Sequence, residues 1–518
     1  MADISKITII NETYDIKDTT ARNNISTLQA DVSTLQTDVG TLQTDVGTLQ
    51  TDVDTLQTDN SNNKELFINI EDFGAKGDGI TDDTIAIQNA FNSNYSNFIF
   101  PNKIYLITAP INIPSSVKNI NLQNAHLKYN YEQIENTENN LFNISGNNKL
   151  TINGGKIEYL GTFDFNNESY AGRVSGIKIN NSNNISIKNC EILNFNRHGI
   201  TLAYNENGTN EIYCENITID NCNLHHNRVA GVLFGNTKNL IIKNCKLCYN
   251  GKDSDTHTGY GCAAQSSYIP KNTFIINNYA SYNYRKGIDF HSGISGIIDN
   301  NICEQNKLYG IYYDSINEIG TWHITNNIIK DMTLDNADNF AKHGIFVGSM
   351  DTNNSNKYSN FIISNNSIID CSTTNNSIFY PIYINNNNLY ENHVNISNNY
   401  INCGNIGAFI FVQYNSRKSL TIVSNNYMKA SSTSTIPVYD NDEYFDTFKF
   451  VNNYIEVTNN SQPYTVATTT PVNLSTAKLV FVDNIAISPQ NANENVFLYR
   501  ALTNLIHSLN IINNTPES

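Results

Sequence analysis

Apolar residues follow two rhythms along this chain, one of period seven near the N-terminus and one of period two through most of the remainder. Between residues 25 and 59 the phrase LQTDVGT recurs. Ile25, Val32, Val39, Val46 and Val53 take one apolar position of the heptad, and Leu28, Leu35, Leu42, Leu49 and Leu56 take the other. A stripe returning every 3.5 residues predicts a parallel coiled coil. Asp31, Asp38, Asp45 and Asp52 flank one side of the seam and Gln29, Gln36, Gln43 and Gln50 the other, a pairing that neither attracts nor strongly repels. The competing reading is a polar low-complexity linker, because Gly40, Gly47 and the many threonines are poor helix formers. Five apolar pairs in register favour the coiled coil. So short a stalk is marginal by itself, so chains held together downstream are expected to support it. β-branched residues at one seam position with Leu at the other do not decide between two and three strands.

From residue 189 onward a second phrase recurs: Asn or Asp, then Cys or Asn, a variable residue, then usually an apolar one. It begins at 189, 221, 244, 277, 300, 326, 365, 398, 425, 452 and 483, eleven occurrences 23 to 39 residues apart. Alternating strands such as Ile185-Ser-Ile187 and Val394-Asn-Ile396 precede it. Strands opened by Gly follow many copies, at 199, 231, 287, 310 and 344. Short period-2 strands without helical pattern between them exclude a βαβ layout. The repeat predicts an all-β solenoid, a single-stranded right-handed parallel β-helix of roughly eleven or more coils ~4.8 Å apart. Asn suits the bends because it tolerates the left-handed region, and stacked Asn side chains can satisfy one another.

Composition narrows the partners. Of 518 residues 39% are hydrophobic and only 15% charged, and the net charge is −16. That balance argues against nucleic acid, which needs a clustered basic footprint. It also argues against docking on an acidic membrane surface. The opening MADISKITIINETYDIK has no apolar core after a basic start, so no signal peptide is expected. Nothing reaches the apolar length needed to span a membrane. Nine cysteines are odd in number. Cys190, Cys222 and Cys245 follow the repeat and are expected to stack as buried, reduced, metal-free thiols. Cys245 and Cys248 form a CxxC with no second ligand pair, so no zinc and no cofactor is expected.

Residues 70–90 read IEDFGAKGDGITDDTIAIQNA, which closely resembles the opening signature of the pectate-lyase-like superfamily of right-handed β-helices, common among bacteriophage tailspikes. Physically, a strand around Phe73 would end in a Gly-rich turn, and Asp82 and Asp83 would sit in the first turn of a helix near 82–92. That helix would cover the open end of the solenoid. A calcium or catalytic reading of GDG and TDD lacks a facing partner. YDIKDTTAR at 14–22 resembles the head of tail-fibre proteins of phages with Gram-positive hosts. The resemblance covers roughly residues 66–490 and implies a homotrimer on the virion tail. It would attach to tail or baseplate proteins through residues 1–24, carry a stalk at 25–59, and end in a cap or oligomerisation segment at 491–518. Its β-helix would bind, and often cleave, a host surface glycan. The alternatives are a non-catalytic receptor-binding fibre of the same fold, since fold does not fix activity, and a bacterial polysaccharide lyase.

Aligning the Gly-opened strands places the outward pairs Thr201/Ala203, Leu233/Gly235, Ala263/Gln265, Asp289/His291, Tyr312/Asp314 and Phe346/Gly348 in register. Only two neighbouring coils carry ionisable groups there. Asp314 would stack beside His291, with Asp289 on the diagonal at on the order of 8 Å between Cα atoms. Two carboxylates so placed suit glycoside hydrolysis, and Asp289, His291 and Asp314 are the candidate catalytic residues. Arg285, Tyr312, Arg228 and Gln265 are candidate substrate contacts, and Arg285 with His291 would also serve a lyase. The plain alternative is a set of solvated polar residues on an exposed sheet face. His198, Arg197, Arg228, Arg285 and His343 fall in the turn before the Gly, where a basic column would suit an anionic glycan and scattered turn residues are the competing reading.

Overall fold

The computed structural model describes residues 6–9, 12–15, 19–65, 67–131, 138–161, 174–204, 212–252, 258–266, 268–315, 320–334, 340–349, 358–375, 377–386, 391–414, 418–434, 438–440, 445–460, 466–468, 478–487, 505–507 and 511–513. The chain divides into two compact units, Met1–Phe67 and Ile68–Ser518.

In the first unit Lys6–Ile9 pairs antiparallel with Glu12–Asp15, and a single helix, α1, runs over Thr19–Glu65. Threonine is tolerated because its hydroxyl donates to the carbonyl four residues back, as in Thr34 to Ala30, Thr41 to Thr37 and Thr48 to Thr44, all at 3.1 Å. The heptad residues from Ile25 to Val53 form a stripe that this chain leaves 42–64% exposed. No helix among the described residues is long and apolar enough to cross a membrane.

The second unit is the expected solenoid, a right-handed parallel β-helix. One sheet contains thirteen parallel strands from Ile111–Ile113 to Val466–Thr468. A second runs from Ile302–Glu304 to Ile511–Asn513, and bridges at Tyr279 join it to Lys246–Cys248 before it. The third carries the alternating strands, such as Ser182–Lys188 and Cys214–Asp220. Within the stretch 491–518 the described strands Leu505–His507 and Ile511–Asn513 continue two of these sheets; the remainder of that segment lies outside the described residues.

The repeat explains each corner. The first residue of every phrase, from Asn189 to Asp483, is left-handed, with φ between 53° and 58°. The second residue points inward and forms a ladder. Asn278 Nδ2 donates to Asn301 Oδ1, Asn301 to Asn327 and Asn327 to Asn366, each at 3.0 Å. The Gly that opens the strands of the thirteen-stranded sheet from Gly199 to Gly344 is required by close approach. A Cβ on Gly261 would lie 2.4 Å from Gly287 O, and one on Gly287 2.7 Å from Gly310 O.

At the N-terminal end the local geometry differs from expectation. Phe73 closes a 3-10 turn, Ile70–Phe73, after a two-residue strand, and Asp82 ends a strand instead of starting a helix. The helix α2 is Thr84–Phe91. Asp83 is its N-cap, but its carboxylate turns back to accept from Lys76 N at 2.6 Å and Gly77 N at 3.1 Å, fixing the Gly-rich turn. Asp82 accepts from the Thr84 and Thr108 hydroxyls. Phe91 packs its ring 5.2 Å from Phe98.

Cys190, Cys222 and Cys245 occupy the same inward column as the Asn ladder, and Cys222 N–H donates to Cys245 Sγ at 3.4 Å. All nine cysteines are buried and free. Thiol reagent is therefore expected to label the native protein negligibly and the denatured protein nine times per chain; native labelling, or stoichiometric zinc by elemental analysis, would contradict this column.

Candidate active site

Four neighbouring strands of the thirteen-stranded sheet build the site: β1 (Tyr260–Ala264), β2 (Lys286–Phe290), β3 (Tyr309–Ser315) and β4 (Lys342–Ser349). Their register places Ala263, Asp289, Tyr312 and Phe346 in one outward column. Ile288, Ile311 and Ile345 alternate inward. Trp322, fully buried beneath, packs 4.7 Å from both Phe290 and Tyr313 and stiffens the floor of β2 and β3. Phe290 pairs with Tyr313, the residues that precede His291 and Asp314.

The acidic groups point away from the solenoid but are not solvated. Asp289 is 0% and Asp314 2% exposed, which corrects the expectation of an open surface patch. Lys286, itself 3% exposed, places Nζ 2.9 Å from Asp289 Oδ1. His291 Nε2 lies 3.1 Å from Asp289 Oδ2. Burial pushes the Asp289 carboxyl up, but the charges of His291 and Lys286 outweigh it and hold it below the usual carboxylate range. Asp314 has the opposite balance. Burial raises its pKa and prevails over the Tyr312 hydroxyl, which donates to Oδ2 at 2.9 Å. Its Oδ1 is buried without a protein partner. Two carboxyls on adjacent coils are thus driven apart in acidity, one pKa held down and the other pushed up.

Lys286 is the member that the sequence reading left outside the site. It stands one residue before the Gly of RKGIDF, where the tight passage at Gly287 returns Lys286 and Asp289 to the same side. Its ammonium also lies 3.4 Å from the Tyr312 ring centroid, a cation–π contact. Burial lowers its pKa, against the attraction of Asp289. An aromatic stack closes this side of the site: Tyr312 lies 4.6 Å from Phe346, Phe346 5.5 Å from Tyr383 and Tyr383 5.1 Å from Phe411. The rings face one another at interplanar angles of 9° to 13°, so the stack screens the carboxyls from water and leaves few free ring faces for sugars.

On the other side opens a cavity of about 200 Å³, lined by Asp289, His291 and Gln265 among others. His291, whose side chain is 30% exposed, lines it at this end. Asp314 and Tyr312 are not among its lining residues. Arg285 flanks the site, with Nη1 donating to the Tyr260 hydroxyl at 3.0 Å. Arg228 is buried in an earlier turn and does not line the cavity. The structure therefore unites Asp289, His291, Asp314 and Tyr312, adds Lys286, and leaves Arg228 apart.

Fold and site together define a right-handed parallel β-helix with a charged, half-enclosed cleft on its thirteen-stranded sheet. Residues 175–368 match the family described as "Right handed beta helix region". Among curated proteins the chain is similar to the preneck appendage protein of Bacillus phage PZA, 26% identical over 43% of this chain and 31% of that protein. It is also similar to the pre-neck appendage protein of Bacillus phage phi29, 26% identical over 35% of this chain and 23% of that one. The chain thus spans less than a third of the length of these relatives. Among solved structures, a tailspike of E. coli bacteriophage HK620 aligns over 83% of this chain and 79% of its own, at 14% identity and a TM-score of 0.49.

Proposed function

We propose that this chain is a phage tail component that binds and depolymerises a host cell-surface polysaccharide during adsorption. The observation that carries the reading is the buried Lys286–Asp289 pair with His291 beside it opening on a sugar-sized cavity. A structural ion pair does not need an imidazole facing a cavity, whereas acid–base chemistry does. In this reading His291 exchanges the proton with substrate or water. Asp289 holds the ring and stabilises its charged form, and Lys286 keeps Asp289 ionised. Asp314, its pKa raised by burial one coil away, is the second acid. The phage appendage relatives support a virion tail component over a free bacterial lyase.

The test is to incubate the purified protein with polysaccharides extracted from candidate host envelopes. New reducing ends without added ultraviolet absorbance would indicate hydrolysis, and absorbance from a new double bond would indicate lyase chemistry. Binding without either product would leave a non-catalytic receptor-binding fibre.

The exposed heptad stripe of α1 is read as the seam of a parallel coiled coil in a homotrimer, with residues 1–24 attaching to the tail. Sedimentation at micromolar concentration is expected to give a single species of three chains. A one-chain mass would refute the seam.

A further inference from the structure

The cavity beside Asp289 runs back across three coils and ends on a second polar group that the reading above does not use. It exists because outward positions that are large further along the solenoid are small here. Ala263 stands in the column of Asp289, Tyr312 and Phe346, and Ala230 in that of Tyr260, Lys286 and Tyr309. Between them the floor is apolar, with Leu233 and Val229 lining the hollow. At the far end sit Arg197 and His198.

His198 is 1% exposed, and burial, reinforced by the Arg197 charge, lowers its pKa well below the usual histidine value, so the ring is neutral. Nδ1 lies 2.9 Å from the Thr201 oxygen, which in turn lies 3.1 Å from Ser175 Oγ. Nε2 is buried, in a residue that lines the cavity, and has no protein partner. A buried ring nitrogen of this kind is costly unless a ligand or water pairs with it. With the ring proton on Nδ1, toward Thr201, Nε2 binds an N–H or O–H.

We propose that His198 holds its proton on Nδ1, toward Thr201, and that this end of the cavity is a specificity subsite for an N-acetylated amino sugar in the host polysaccharide. The acetamido N–H donates to His198 Nε2, its carbonyl accepts from the Arg197 guanidinium, and its methyl packs on Val229 and Leu233. All three features of the group are matched: a donor, an acceptor and an apolar tip. A hexose with a plain hydroxyl lacks the apolar tip that Val229 and Leu233 would cover, and so does a uronate. The proposal rests on the polysaccharide-binding reading and adds the class of sugar; it does not depend on which residue performs cleavage.

The test is saturation-transfer NMR on the full chain, with N-acetylglucosamine, N-acetylgalactosamine and N-acetylmannosamine compared with glucose, galactose, mannose and galacturonate as probes. At least one N-acetylated probe is expected to bind, with its acetyl methyl the most strongly saturated group, and the parent hexoses at least ~10-fold more weakly. His198→Phe, which keeps a flat ring but removes the acceptor, is expected to weaken that probe by about tenfold. His198→Gln, which restores an acceptor oxygen, is expected to recover part of the loss. A melting curve on each variant separates lost binding from lost fold. Equal saturation by hexoses, no saturation by any N-acetylated probe, or full binding by a folded His198→Phe would each overturn the proposal. None of these results bears on cleavage, which the Asp289 variants test. If no host polysaccharide is bound or cleaved while the acetamido preference persists, the depolymerase reading fails and the subsite stands.

Discussion

Asp289→Asn is expected to reduce cleavage of a confirmed polysaccharide substrate by ~10²–10⁴-fold. The replacement keeps the shape of the side chain but removes the charge that faces the His291 ring, 3.1 Å away. It also strips Lys286 of its carboxylate at full burial. Removing one partner of a buried ion pair costs on the order of 3–5 kcal/mol, so part of the effect will appear in stability. The double variant Lys286→Met with Asp289→Asn removes both charges and is expected to recover stability without recovering activity. Asp314→Asn is the cleaner probe. With a raised pKa the carboxyl is already biased to its neutral form, which Asn resembles, so stability should change little while the proton is lost. Its rate is expected to fall by a comparable factor. If Asp289→Asn and Asp314→Asn both cleave at the wild-type rate, the chemistry lies elsewhere on the chain. The two acids also predict opposite pH signatures. Asp289 titrates below its unfolded value, so its stabilisation is complete above about pH 4 and is lost as pH falls through the lowered folded value. Asp314 titrates above its unfolded value, so its contribution is present at low pH and fades as pH rises through the raised one. Acid unfolding of Asp289→Asn should therefore be less steep than that of the wild-type chain.

The solenoid was legible because its corners are written in residue types with narrow physical uses. Asn or Asp in the first position of each phrase announces the left-handed bend, and the Gly that opens the strands from 199 to 344 announces a backbone approach that leaves no room for a Cβ. Both are local requirements repeated from coil to coil, so one sequence suffices to expose them. The register then carried Asp289, His291, Tyr312 and Asp314 to one place, since parallel pairing fixes who stands beside whom. Burial was not legible in the same way. Asp289 alternates outward, which normally means solvent, but the ring of Tyr312 and the stem of Lys286 close over it from the sides. Nor did the alternation show that Lys286 belongs to the site, because the close passage at Gly287 brings residues i and i+3 together where simple period-2 counting separates them. The role of Asp83 beside the Gly-rich turn was not legible for a related reason. A helix-start carboxylate and a turn-fixing carboxylate look alike in sequence, and only the bonds of Asp83 to Lys76 N and Gly77 N distinguish them.

Asn327→Ala, in the middle of the inward ladder, is expected to be among the most destabilising single changes in the solenoid. Asn327 is fully buried, and its side chain serves both neighbours at once. Nδ2 donates to Ile298 O at 2.9 Å and to Asn366 Oδ1 at 3.0 Å, while Oδ1 accepts from Asn301 N and Asn301 Nδ2, both at 3.0 Å. Alanine would leave a backbone N–H, a backbone carbonyl and a side-chain amide short of partners in the interior. At roughly 1–3 kcal/mol for each unsatisfied buried group, the loss should reach several kcal/mol. The chain itself supplies the contrast. Cys245 occupies the same column, and its sulfur accepts from Cys222 N at 3.4 Å while its own thiol donates to Lys243 O at 3.1 Å. A thiol can therefore stand in for the carboxamide at both the donor and the acceptor side. Asn327→Cys should accordingly lose distinctly less than Asn327→Ala, although the two side chains are close in size. Because long solenoids often unfold irreversibly, the comparison is best read as unfolding rates in denaturant under identical conditions. Alanine is expected to accelerate unfolding most, with cysteine between it and the wild type. Equal rates for alanine and cysteine would mean that volume, not hydrogen bonding, is what the column contributes.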